Sequence, residues 1–263
     1  VSDALRAEWT KLRTISGTWW LMVGTIALTV AASAGILAAT HVSPGGGGGG
    51  GGGGQDPTKL GLIGVDLGQA VVAILAVLAV TEEYAAGMIR VTLTAMPRRG
   101  VVLGAKAANI AGLALVTGVL AVAGCLIAGR LLLPEAGLDP AHGYALVSIA
   151  NGTTLRAAFG TVLYLVLIAL LGLGIGTIFR DSAVSTGIVL GLLYLPPLLA
   201  QLLSGPWRRH IQQIAPMTAG LAIEATRNIR SLPVSPWTGL GILAAWAVGM
   251  LLLGLAVLKA RDA

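Results

Sequence analysis

Hydrophobic positions in this chain gather into six long runs, and polar positions into the short stretches between them. The runs cover about residues 19–39, 62–80, 107–129, 157–179, 183–203 and 238–258. Each approaches the roughly 20 apolar residues that a helix needs to cross the hydrocarbon of a bilayer. Backbone amides in lipid must find partners within their own segment, so the runs are predicted to be helices. The alternating pattern of a membrane β-barrel is missing. The expected fold class is an all-α integral membrane protein: six transmembrane helices forming one domain over 1–263.

Three polar stretches add features to that plan. In SDALRAEWTKLRTIS, Leu5, Trp9 and Leu12 recur on one helical face and charges fill the rest. That pattern predicts an amphipathic helix lying in the membrane interface. Trp19 and Trp20 mark where the chain turns into the bilayer. The mixed charge before the first run, with no cleavage-like site after it, predicts a retained anchor. A second stretch, 82–98, holds two glutamates, a tyrosine and two arginines, with Arg99 next in sequence. Read as a helix, it places Tyr84, Met88, Val91 and Ala95 on one face and Ile89, Leu93 and Met96 on another. Arg98 and Arg99 then complement its C-terminal dipole, and Gly100 ends it. The third stretch, 204–236, is broken by Pro206, Pro216 and Pro233. It predicts two short amphipathic helices, about 207–215 and 217–230, forming a re-entrant outer segment. Trp207, Arg208 and Arg209 are its candidate contacts to anionic lipid headgroups or to a substrate.

Glycine and proline refine the picture. The ten glycines at 45–54 have no side chains to pack and predict a flexible loop. They form no nucleotide site, because no strand precedes them and no Gly-Lys-Ser/Thr follows. Gly172, Gly174 and Gly176 lie inside a run and predict close helix packing. Pro196 and Pro197 predict a kink in the fifth helix.

Composition supports the membrane assignment: 56% of residues are hydrophobic and 11% charged, against about 25% charged in a soluble domain. The net charge of +6 does not point to nucleic acid, because the basic residues cluster at the ends of the runs. With the N-terminus in the cytoplasm, ten lysines and arginines fall inside and seven outside, so both termini are expected to be cytoplasmic. Cys125 is alone and is read as a packed side chain. The three histidines are scattered, with no metal-ligand spacing. No GxxxxGK[ST], HExxH or CxxC occurs, so the chain is not expected to be an enzyme or to hydrolyse ATP itself. The runs are read as free of ionisable side chains, which argues against a self-powered secondary transporter.

Glu82-Glu83-Tyr84, Gly87-Met88-Ile89-Arg90, Thr92-Leu93 and Pro97-Arg98-Arg99-Gly100, with Lys106 opening the third run, form one ordered pattern. Together with Glu8-Trp9-Thr10-Lys11-Leu12-Arg13 and the ending Lys259-Ala260-Arg261-Asp262, it closely resembles bacterial ABC transporter permease subunits of the type 2 exporter family. The resemblance implies a permease in the bacterial plasma membrane. Its partners would be cytosolic ABC ATPase subunits and a second permease chain, with a homodimer favoured. It implies no cofactor in this chain, ATP and Mg being held by the ATPase. It also implies that 82–98 is a cytoplasmic coupling helix seated on that ATPase. Glu82, Glu83, Tyr84, Gly87, Met88, Ile89, Arg90, Leu93, Pro97, Arg98 and Arg99 would then form the interface. The cargo would be hydrophobic or amphipathic. The alternative is a non-transporting membrane scaffold or sensor whose outer loop binds a ligand.

Overall fold

The computed structural model describes residues 16–39, 56–88, 99–134 and 151–261. Leu5, Trp9 and Leu12 of the predicted interfacial helix lie outside these residues, as do the glycine run and Ile89, Arg90, Leu93, Pro97 and Arg98. The helices are α1 (Ser16–Ala39), α2 (Pro57–Gly61), α3 (Val65–Ala85), α4 (Arg99–Leu132), α5 (Gly152–Phe179), α6 (Ser182–Leu202), α7 (Pro206–Ile214), α8 (Pro216–Gly220) and α9 (Pro236–Arg261). Short 3-10 turns follow α8 at Leu221–Glu224 and Ile229–Ser231. Among the described residues there is no strand, and six helices are long and apolar enough to cross a membrane. This is the build of a multi-pass membrane protein. The long helices alternate in direction. Ala85, Arg99, Phe179 and Ser182 meet at one end, termed basal, while Val65, Leu132, Gly152, Leu202 and Pro236 meet at the apical end.

α5 is the axle of the bundle, packed against α3, α4, α6 and α9. Its glycines explain how the backbones come so close. A Cβ on Gly172 would lie 2.8 Å from the Ala73 carbonyl oxygen of α3, and one on Gly174 would lie 2.7 Å from the Met250 carbonyl carbon of α9. One on Gly176 would meet Val80 at 2.7 Å. The sequence expectation of close packing at these three positions therefore holds, and the neighbours are now named. Cys125 is buried as expected, accepting from the Ser33 hydroxyl at 3.3 Å.

Three boundaries differ from the sequence reading. α3 does not stop at Val80 but carries Glu82, Glu83 and Tyr84 in its last turn. Gly87, at φ 67°, breaks away from it, so Tyr84 and Met88 share no continuous helix face. Arg99 and Gly100 do not end a helix; they open α4. At 34 residues, α4 is about 51 Å long at 1.5 Å per residue, well beyond the ~30 Å of hydrocarbon. Finally, the helix expected over 217–230 gives way after Gly220 to a 3-10 turn and then extended backbone at Ala225. α6 runs through Pro196 and Pro197, which deny hydrogen bonds to the carbonyls one turn before them.

Candidate functional site

At the basal end, helical periodicity decides where the charges go. Glu83 lies one turn beyond Val80 and two beyond Ala76, on the buried face of α3. It is 6% exposed, and Lys106 of α4 is 4% exposed. The two meet at 3.0 Å, and the same ammonium donates to the Ala79 carbonyl at 3.2 Å. Tyr84 faces α5, with the Arg180 guanidinium 4.9 Å above its ring, a cation–π contact. Arg99 donates to the Leu258 carbonyl at 2.6 Å and to that of Lys259 at 3.2 Å. It therefore complements the dipole of α9, not that of the helix it was expected to end. Of the described coupling candidates, Glu83, Tyr84 and Arg99 fasten α3, α4, α5 and α9 to one another. Glu82, Gly87 and Met88 are exposed.

At the apical end, the segment from α7 to α9 folds back onto the bundle. Trp207, Arg208 and Arg209 are exposed on α7. Arg208, Arg209 and Arg230 line an open groove of about 1030 Å³. From Pro216 to Ala225 the segment is mostly buried. Glycines admit it: Gly160 receives Ile223, and Gly220 lies against the Tyr164 ring. Asp56 holds it from the other side. The Asp56 carboxylate caps α2 by accepting from the Thr58 and Lys59 amides at 3.2 and 3.3 Å. It also accepts from the amides of Thr226 and Arg227 and, at 2.6 Å, from the Thr226 hydroxyl. The Arg156 guanidinium takes the Ala225 carbonyl. With these backbone groups satisfied from elsewhere, a helix across 225–227 gains nothing.

Asp56→Ala is therefore expected to speed hydrogen exchange at the Thr226 and Arg227 amides by at least tenfold, as loss of a charge-assisted bond costs about 1.5–3 kcal/mol. Exchange within α5 should stay as it was. Equal exchange across 221–230 in both proteins would remove the clamp from the account.

Beneath this segment lies a cavity of about 670 Å³, lined by Asp56, Lys59, Asp66, Glu224 and Arg227 among apolar side chains. Glu224 is 2% exposed. Thr161 donates to the Ala157 carbonyl at 2.9 Å and stands 3.4 Å from the Glu224 carboxyl. Burial first, and then the charge of Asp66, push the Glu224 carboxyl well above the usual carboxylate range; Lys59 and the Thr161 contact pull the other way, and Asp56 adds to the rise. Below Asp66, the Gln69 amide donates to the Asp66 carbonyl at 3.1 Å. The Tyr194 hydroxyl donates to that carbonyl too, and the Tyr164 hydroxyl to Gln69.

Asp66 corrects the reading of charge-free spans. It stands in the second apolar run and in the first turn of α3, where the helix dipole favours an anion and the cavity reaches it. With an ionisable group in this helix, the spans no longer speak against a self-powered transporter. Sequence reasoning also missed Glu224, Asp56 and Gln69 as a group. One signal was present: Asp66 and Gln69, three apart on a lipid-length helix, share a face, and an ionisable residue in such a helix marks a site by default.

Fold and site define a multi-pass helical membrane protein with charged fastenings between helices at one end and an acid-lined cavity at the other. No protein-family model matches the chain, and no curated protein matches it.

Proposed function

We propose that the chain is the transmembrane subunit of an ATP-driven ABC exporter of the type 2 family, working in a bacterial plasma membrane with both termini cytoplasmic. ATP and Mg belong to separate cytosolic ATPase subunits, and a second copy of this chain completes the path for an amphipathic cargo. The observation that carries the reading is the buried Glu83–Lys106 pair at 3.0 Å. It joins the two helices that bracket 86–98, so a push on that segment moves α3 and α4 as one body. Glu82, Gly87, Met88, Ile89, Arg90, Leu93, Pro97 and Arg98 remain as contacts to the ATPase. Glu83, Tyr84 and Arg99 become the residues that pass its movement on. The 204–236 region is the re-entrant outer segment of this reading.

The reading requires a Walker-motif ATPase encoded in a neighbouring gene, and the test is co-purification of the chain with it. Arg90→Ala with Leu93→Ala is expected to reduce complex recovery and nucleotide-dependent ATPase stimulation by about tenfold, the scale of losing a central interface anchor. Survival of both properties after replacement of 88–96 by an unrelated helix of the same length would sink the coupling role. The acid-lined cavity favours a second reading, a sensor or scaffold that binds a ligand at its outer face. That reading requires no cognate ATPase.

A further inference from the structure

We propose that the apical cavity binds an organic cation with an apolar body, its positive group held between Asp66 and Glu224. The volume of about 670 Å³ lies in the range of small-molecule sites, roughly 300–1,000 Å³. Leu60, Ile63, Leu221 and Val234 supply an apolar lining. Among the described residues no cation pairs with either carboxyl. No described group donates a hydrogen bond to the Asp66 carboxylate. Among the described residues, the only side chain in hydrogen-bond range of the Glu224 carboxyl is Thr161. Thr161 reaches Glu224 at 3.4 Å, longer than its 2.9 Å bond to the Ala157 carbonyl, so one shared hydroxyl proton is a weak partner for a buried carboxyl. A carboxyl this deeply buried, beside a second one and open to a cavity, is stabilised either by a proton or by a cation that replaces it.

Binding of the cation should therefore release the Glu224 proton, and the two ligands compete. The titratable and charged groups around Glu224 are Asp66 from α3, Asp56 capping α2 and Lys59 within it, Tyr164 from α5, Arg156 of α5 on the neighbouring Ala225 carbonyl, Arg227 from its own segment and, further off, Cys125 from α4. Arg227 and Asp56 are engaged with each other through the Arg227 amide. Lys59 is the exposed cation whose charge opposes protonation of Glu224, and it opposes an incoming cation as well. Since the Glu224 carboxyl is raised above the usual range, proton competition persists above ordinary carboxylate pH. Affinity for a permanent cation should rise as pH rises and level off once Glu224 is ionised. As the cargo class of an exporter, the cation rests on the reading above; binding itself does not.

The experiment uses the full chain in phosphatidylcholine nanodiscs, without an ATPase, with labelled tetraphenylphosphonium as probe and empty discs as background. The probe does not titrate, so any pH dependence belongs to the protein. Wild type is expected to retain the probe with affinity that increases with pH. Glu224→Gln and Asp66→Asn should each weaken it by about tenfold or more, and Glu224→Gln should lose the pH dependence. Lys59→Gln should strengthen binding severalfold, a gain that misfolding cannot mimic. Retention no better than empty discs overturns the proposal. So does equal binding of neutral triphenylphosphine oxide, unchanged affinity in both carboxyl variants, or weakening by Lys59→Gln. Because no ATPase takes part, failure here leaves the exporter reading standing, and loss of the ATPase complex leaves this site standing.

Discussion

Lys106→Met is expected to destabilise the protein by about 3–5 kcal/mol, the cost of breaking a buried ion pair from one side. The Glu83 carboxylate is 6% exposed and would keep its desolvation while losing the ammonium 3.0 Å away. The Ala79 carbonyl would lose a donor in the same step. Methionine fills much of the volume of the lysine stem, so the loss is electrostatic and not a cavity effect. The double variant Glu83→Met with Lys106→Met should recover most of the stability, because an apolar pair of similar volume replaces a buried salt bridge at little net cost. For a chain of this size the single variant corresponds to a melting-temperature fall of roughly 10 °C. Thermal unfolding in one detergent, followed by circular dichroism, compares the three proteins. If single and double variants melt together, the pair is not what holds α3 to α4.

That pair also shows where sequence reading stops. The apolar runs made six helices legible, because length and hydropathy are local properties and the bilayer rewards them locally. The ends of those helices were not legible. Arg99 reads as the end of the 82–98 helix and Lys106 as the start of the third run, yet both belong to α4, and their partners sit on other helices: Leu258 and Lys259 for one, Glu83 for the other. A local window sees a charge and cannot see what neutralises it. The same holds for 217–230, whose pattern is helical until Asp56, 170 residues away, takes the Thr226 amide. Gly172, Gly174 and Gly176 were readable as contact points because a cluster of small residues inside a lipid-length helix lets backbones approach. Which helix each receives was not. The cavity was half legible: Asp66 and Gln69 announced a polar face, whereas Glu224 sits among prolines and arginines in a stretch that reads as interfacial.

Gly239→Ala is expected to cost about 3 kcal/mol, at the upper end of the usual range for overpacking. A methyl there would lie 2.0 Å from the Ala219 carbonyl oxygen and 2.9 Å from its carbon. Both atoms are backbone, so no side chain can rotate out of the way, and α9 must move off α8. Gly160 makes a useful contrast: its methyl would also meet an atom at 2.0 Å, but that atom belongs to the Ile223 side chain, which can change rotamer at lower cost. Two residues along the helix from Gly239, Gly241 has nothing within 4 Å. Gly241→Ala should therefore be neutral or stabilise α9 by up to about 1 kcal/mol, through the usual helix preference of alanine. The displacement caused by Gly239→Ala has a direction: α8 leads directly into the turn that holds Glu224, so hydrogen exchange over 216–227 should rise together with the fall in melting temperature. Equal melting of the Gly239→Ala and Gly241→Ala proteins would mean that α9 and the apical segment are not in backbone contact, and the wall of the cavity would have to be redrawn.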